Sequence, residues 1–204
     1  MPLIKQANGL LAEFAIFPVE PDSQASLVEH AIQNIESVLK HKEGFSSGSV
    51  LRSRDRLRVT SYVQWAAQES YVATQPFTGF TVPDVHLFEI FAAEPKGSEL
   101  HLALSMDGLI NFGIFKMKQP ENQPRFIELF RQALEMVSGQ AGLISTHAHR
   151  SLDGWRCINF GYWRSLEEYT AMDSNRPFSP IFGEMLDLAN NEYQKTLHEV
   201  VFTT

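Results

Sequence analysis

Hydrophobic and polar positions alternate most regularly along Arg156-Cys-Ile-Asn-Phe-Gly-Tyr-Trp163. As a strand, this run places Cys157, Asn159, Gly161 and Trp163 on one side and Ile158, Phe160 and Tyr162 on the other. Both sides are largely apolar, which predicts a central strand covered on both faces. Ser165, with Glu168 three residues later, has capping-box spacing for a helix that carries Tyr169 in its first turns. Asn159, Trp163 and Tyr169 are therefore expected to converge from a strand and the helix that follows it.

The same pattern occurs 98 residues earlier. Trp65 closes Leu57-Arg-Val-Thr-Ser-Tyr-Val-Gln-Trp65, and Tyr71 follows it at the distance that separates Tyr169 from Trp163. Phe14-Ala-Ile-Phe17 returns as Phe112-Gly-Ile-Phe115, Gly44 as Gly142, Ser47 as Ser145, Asp55 as Asp153 and Arg58 as Arg156, all in one register. A shared register over about 60 positions predicts an internal duplication and two related domains, residues 1–98 and 99–204.

Taken in order, residues 1–9 read as an arm ending in an Asn8-Gly9 turn, and Leu10 to Phe17 as a strand stopped by Pro18. Leu27, Ala31, Ile35, Val38 and Leu39 form one helical stripe, closed by Gly44 as a left-handed cap. Ser46 to Arg52 and Arg58 to Trp65 form a hairpin, whose Arg52, Arg54, Arg56 and Arg58 are either a solvated strand end or a basic rim. Ala66 to Thr74 is helix-compatible until Pro76, Gly79 and Pro83 intervene. Val85 to Ala92 and Leu100 to Ser105 alternate as strands.

In the second half, Leu109 to Met117 is a strand, and Phe126, Leu129, Phe130, Ala133, Leu134 and Val137 are the stripe of a helix. Leu143 to His149 and Arg156 to Trp163 pair about Asp153-Gly154. Leu166 to Met172 and Ile181 to Asn190 are helical on either side of the Asn175–Pro180 loop, and His198 to Phe202 is a last strand. Each half thus reads β-α-β-β-α-β, an α+β class with two tandem ferredoxin-like domains.

Composition narrows the function. Hydrophobic residues at 44% and charged residues at 20% describe a globular chain without the bias of disorder. The net charge is -7, divided as 8 basic and 11 acidic residues to position 98 and 9 and 13 beyond it. Neither half is a basic nucleic-acid module, and neither carries a membrane-surface helix. No apolar run reaches membrane-spanning length and the first residues lack a secretory pattern, so a cytoplasmic protein is expected. Cys157 is the single cysteine, which leaves no intrachain disulfide and favours a buried thiol.

The strand tryptophan, its neighbours and the repetition resemble the antibiotic biosynthesis monooxygenase family of the dimeric α/β barrel superfamily, over roughly residues 10–91 and 109–202. That resemblance implies two ferredoxin-like sheets packed back to back in a barrel, here from one chain, with a further homodimer possible. Quinone-forming members of aromatic polyketide pathways, which use no cofactor, carry an asparagine four residues before the tryptophan and a tyrosine six after it. Asn159, Trp163 and Tyr169 match, whereas the first half offers Ser61, Trp65 and Tyr71. Haem-degrading relatives place an axial histidine ten residues after the tryptophan, where this chain has Asp173 and Gln75. Asn111 stands where those relatives keep a pocket asparagine.

The chemistry so implied is oxidation of a polycyclic phenol or anthrone to a quinone by O2, with no bound haem, flavin or metal. A deprotonated electron-rich substrate reduces oxygen itself, so the protein must supply an aromatic-lined pocket, donors for the enolate and a proton relay. Asn159 is the expected oxyanion donor, Trp163 the wall and indole donor, and Tyr169 the relay; all three also fit a packing cluster. Asn111, Trp65 and Tyr71 are the further substrate-binding candidates. His147 and His149 share a strand face and admit acid-base or plain hydrogen-bonding roles, with no short His/Glu motif to make a metal site. An oxygenase fed with reduced flavin and a non-catalytic small-molecule binder are the competing readings.

Overall fold

The periodic segments become strands and helices within a few residues of the pattern that predicts them. The protein is represented by a computed structural model that describes residues 1–104, 108–174, 180–192 and 197–204. The first half runs β1 (Leu3–Lys5), β2 (Leu11–Pro18), α1 (Gln24–Ser37), β3 (Phe45–Ser53), β4 (Arg58–Trp65) and β5 (Asp84–Glu94). After β6 (Glu99–His101) come β7 (Leu109–Met117), α2 (Gln123–Val137), β8 (Leu143–Ser151) and β9 (Arg156–Trp163). They are followed by α3 (Leu166–Ser174), α4 (Pro180–Leu188), β10 (Ala189–Asn191) and β11 (Leu197–Thr203). The expected loop at 175–179 and the end of the expected strand at Ser105 lie outside the described residues.

Within the halves the lateral orders are β5-β2-β4-β3 and β11-β7-β9-β8, all antiparallel, as in a ferredoxin-like unit. Each unit leaves two edges, and the other half takes both. β5 pairs with β8, for example Phe88 with Ser151, and β11 pairs with β3, Val200 opposite Leu51. The result is a closed antiparallel barrel with β10 appended to β7. Closure pairs both edge strands of each unit among the described residues.

Local devices recur in both halves. Ser53 Oγ donates to Asp55 Oδ1 at 2.6 Å, and Ser151 Oγ donates to Asp153 Oδ1 at 2.6 Å. These carboxyls accept the N–H of Leu57 and Trp155, tying each hairpin tip. Gln24 and Gln123, one residue out of the 98-residue register, each donate to the two carbonyls at the base of the hairpin. They anchor the first turns of α1 and α2 to the sheets.

Three expectations need correction. The first half has no second α-helix: Gln68–Ser70 makes one 3-10 turn, and the backbone is extended again at Tyr71. Pro76 forbids an amide donor there, and Thr74 gives its N–H to the Glu13 carboxyl at 3.0 Å instead. Residues 1–9 are not a free arm. β1 pairs with β6, Gln64 bonds both the N–H and the C=O of Leu3, and Ile4, Leu100 and Leu102 are buried at the barrel mouth. The helix expected to run to Asn190 ends at Leu188, and Ala189–Asn191 pairs with Phe115–Met117.

Side-chain alternation separates a barrel interior from two outer faces. Phe14, Tyr62, Phe88, Phe112 and Phe160 meet inside, with Phe14 and Phe112 edge to face at 5.8 Å. Outside, α1 covers the first sheet through Leu27, Ala31 and Ile35, and α2 covers the second through Phe126, Phe130 and Leu134. His147, His149 and His198 are also buried, 149 against Phe14 and Phe160 and 198 against Phe112. Burial lowers all three, to about 3 for His149, where His147 adds to the effect, and to about 4 for His198; Ser98 O, 3.2 Å from His147 Nε2, partly offsets the shift there.

These histidines make stability depend on pH. Folded, they stay neutral below the ordinary value of 6.5, whereas the unfolded chain takes up protons there. Their contribution is complete above about pH 6.5 and is lost as the pH falls toward 4 and 3. His149→Phe removes one of these protons, so the melting temperature of the variant should fall less than that of the parent between pH 6.5 and 4. Parallel curves would refute the assignment.

Candidate functional site

A cavity of about 410 Å³ lies between the outer face of the second sheet and its helices. Asn111, Gly113 and Phe115 of β7 and Asn159 of β9 form its floor, because residues two apart on a strand share a face. Phe130, Leu134 and Val137 of α2, Met172 of α3, and Phe182 and Met185 of α4 complete the mostly apolar walls. Gly113 leaves room on the floor, directly opposite Asn159 in the ladder.

Two carboxamides face this space with their oxygens already engaged. Trp163 Nε1 donates to Asn111 Oδ1 at 2.8 Å, and because an indole nitrogen only donates, the bond fixes which way the amide points. Asn111 lines the cavity, and its Nδ2 is the amide atom that the indole does not engage. Thr146 Oγ1 donates to Asn159 Oδ1, which likewise frees the Asn159 amide nitrogen. Two N–H donors among mostly apolar walls suit a ligand oxygen that carries or gains negative charge.

Gly161 makes the first of these bonds possible. A Cβ on Gly161 would stand 2.2 Å from Asn111 Oδ1 and 3.2 Å from Trp163 Nε1. In the first half the corresponding residues are Glu13, Val63 and Trp65, and a β-branched side chain replaces the glycine. There the indole nitrogen of Trp65 has no partner among the described residues. Glu13 instead accepts from Thr74 Oγ1 at 2.5 Å and from the Thr74 amide, with burial pushing its carboxyl upward.

The first half also fills its own outer face. Tyr71, Phe77 and Phe80 pack onto the cluster of Phe17, Val63 and Trp65, with Phe77 stacked on Phe17 at 4.9 Å. Tyr71 meets Trp65 edge to face at 5.8 Å, and burial and the nearby Glu13 push its phenol up. Trp65 and Tyr71, expected at a pocket, stand in this packed cluster.

The remaining candidates divide between faces. Trp163 and Tyr169 are buried and meet edge to face at 5.4 Å beside the cavity, so the tryptophan reaches it through Asn111. His147 and His149 point into the barrel interior, away from Asn159. Among the described residues no group of His, Cys, Asp and Glu is arranged to hold a metal, and no helix is long and apolar enough to cross a membrane.

Sequence reasoning passed over Glu168 and Asn191, which also line the cavity. Glu168 was visible only as a helix cap, and it does bond Ser165 in that role while pairing with Arg164 at 2.9 Å. Asn191 had no signal, because β10 is concealed in a helical run.

Residues 113–179 match the model for the antibiotic biosynthesis monooxygenase family. The matched segment lies within the second half. Asn159, Trp163 and Tyr169 all fall within the matched segment. Tetracenomycin-F1 monooxygenase of Streptomyces glaucescens is 32% identical over 73 residues, which are 36% of this chain and 65% of that protein. This chain therefore spans just under two thirds of that relative's length. An anthrone oxidase-like protein of 17% identity superposes with a TM-score of 0.83 over 100% of this chain and 96% of its own. A monooxygenase-like protein from Listeria innocua, 11% identical, gives 0.52 over 94% and 95%. At these identities the two likenesses show a shared fold.

The Gly161 relation can be tested by stability alone. Gly161→Ala should cost about 1–3 kcal/mol, the scale of a buried donor left without its acceptor. Gly113→Ala, whose Cβ would meet Asn159 Cβ at 3.4 Å, should cost less. Urea denaturation of both variants decides, and equal losses would contradict the assignment.

Proposed function

We propose that residues 99–204 form the active-site domain of a monooxygenase that oxidises a polycyclic phenol or anthrone to a quinone, with residues 1–98 as its scaffold. The observation that carries this reading is the pair of amide donors, Asn111 and Asn159, over the floor of an aromatic-lined cavity. Homology to a monooxygenase in the segment holding Asn159 supports an oxygen-using reaction.

The reaction balances without a bound redox group. An anthrone methylene and one O2 give the carbonyl and one water: two C–H bonds break, a C=O bond forms, and the second oxygen atom leaves reduced. Loss of the first proton makes an electron-rich enolate able to reduce oxygen by itself. The amide nitrogens of Asn111 and Asn159 stabilise that charge where it develops. Trp163 acts by holding Asn111, and Tyr169 by packing against Trp163. Glu168 is the one carboxylate lining the cavity among the described residues, and in this scheme it takes up the proton. His147 and His149 have no part in this scheme.

Asn159→Ala should lower oxygen uptake with an anthrone by roughly 100-fold, the scale of one lost oxyanion donor. Ser61→Ala, the corresponding change in the first half, should stay within a few-fold. Steady-state oxygen consumption by folded variants checks both, and full activity of Asn159→Ala would overturn the reading.

A further inference from the structure

Asn191 bounds a different part of the cavity from the two amide donors. It is the last residue of β10, placed opposite Phe115 of β7, and it lines the cavity. Its Oδ1 is buried without a hydrogen-bond partner, and among the described residues no other cavity-lining side chain has such an atom. A buried carbonyl oxygen that has lost water and gained no donor is where a ligand donor contributes most. No strand takes the corresponding place beside β2 among the described residues.

The ladder sets the spacing. Asn111 pairs with Gly161, Asn159 with Gly113, and Asn191 with Phe115, so the three asparagines mark successive positions along β7. Asn111 and Phe115 are four residues apart, about 13 Å along an extended strand. Asn159 lies on the β9 side of β7 and Asn191 on the β10 side. The cavity therefore offers amide donors at its Asn111 end and midway along, and a bare acceptor at its Asn191 end. A single phenol ring cannot touch both ends, whereas a linearly fused ring system can.

Resting on the reading of the cavity as an oxygenase site, we propose that Asn191 is a specificity-determining residue. Its Oδ1 accepts from a hydroxyl on the outer ring of a fused polycycle whose carbonyl or enolate oxygen faces Asn111 and Asn159. The preferred ligand is thus hydroxylated at the end remote from the reacting carbon, and blocking that hydroxyl weakens binding.

The test uses two inert ligands, an anthraquinone with one outer-ring hydroxyl and its methyl ether, titrated into the full chain by tryptophan fluorescence. The parent should bind the hydroxyl compound about 5- to 10-fold more tightly, the worth of one neutral hydrogen bond. Asn191→Leu should abolish the preference, and Asn191→Asp, which keeps an acceptor, should retain it. Melting curves confirm that the variants are folded. No preference in the parent, or the same preference in Asn191→Leu, overturns the proposal. Oxygen uptake with an anthrone is read in the same preparations. Uptake without a hydroxyl preference refutes the role of Asn191 and leaves the oxygenase reading standing. A preference that Asn191→Leu abolishes, without uptake, supports the site and removes the oxygenase.

Discussion

A four-stranded antiparallel sheet with helices on one face has two open edges and one uncovered face, and neither half of this chain resolves that problem alone. Pairing β5 with β8 and β11 with β3 closes all four edges together. The uncovered faces become one interior, where Phe14 and Phe112 meet edge to face and β1 and β6 cover a mouth with Ile4 and Leu100. That interior is packed with aromatic rings and neutral histidines, and the cavity of about 410 Å³ lies on an outer face instead. The barrel is the frame, and the cavity lies between frame and helices.

The two outer faces then diverge through few residues. In the second half Gly161 lets Asn111 reach the indole of Trp163, and α3 and α4 stand off the sheet to leave a cavity. In the first, Val63 occupies the glycine position and Glu13 turns to Thr74. The chain after Trp65 lies down as an extended segment whose Phe77 stacks on Phe17. Loss of a helix and closure of a site are thus one event, since the residues that abandon the helix are those that fill the face.

The strands, the two long helices and the ferredoxin-like order were legible because burial on both sides of a strand leaves an alternating record, and because the pattern appears twice. Asn159 and Trp163 were legible as sharing a face, yet alternation does not say which face meets the helices. His147 and His149 therefore stayed pocket candidates beside Asn159 until the pairing of β8 with β9 and the helix contacts set the parity. Glu13 and Asn191 were opaque for another reason. Their surroundings come from Thr74 and Phe115, partners that lie 61 and 76 positions away along the chain and leave no local pattern.

One half of the repeated fold keeps an open, donor-lined cavity while the other is closed by its own chain. Titration of isotope-labelled protein with an anthraquinone, following the indole N–H resonances of Trp65, Trp155 and Trp163, tests it directly. Saturation is expected at one ligand per chain, with Trp163 shifting through its bond to Asn111 and Trp65 unmoved. Two ligands per chain, or a shift of Trp65 with Trp163 unchanged, would contradict it.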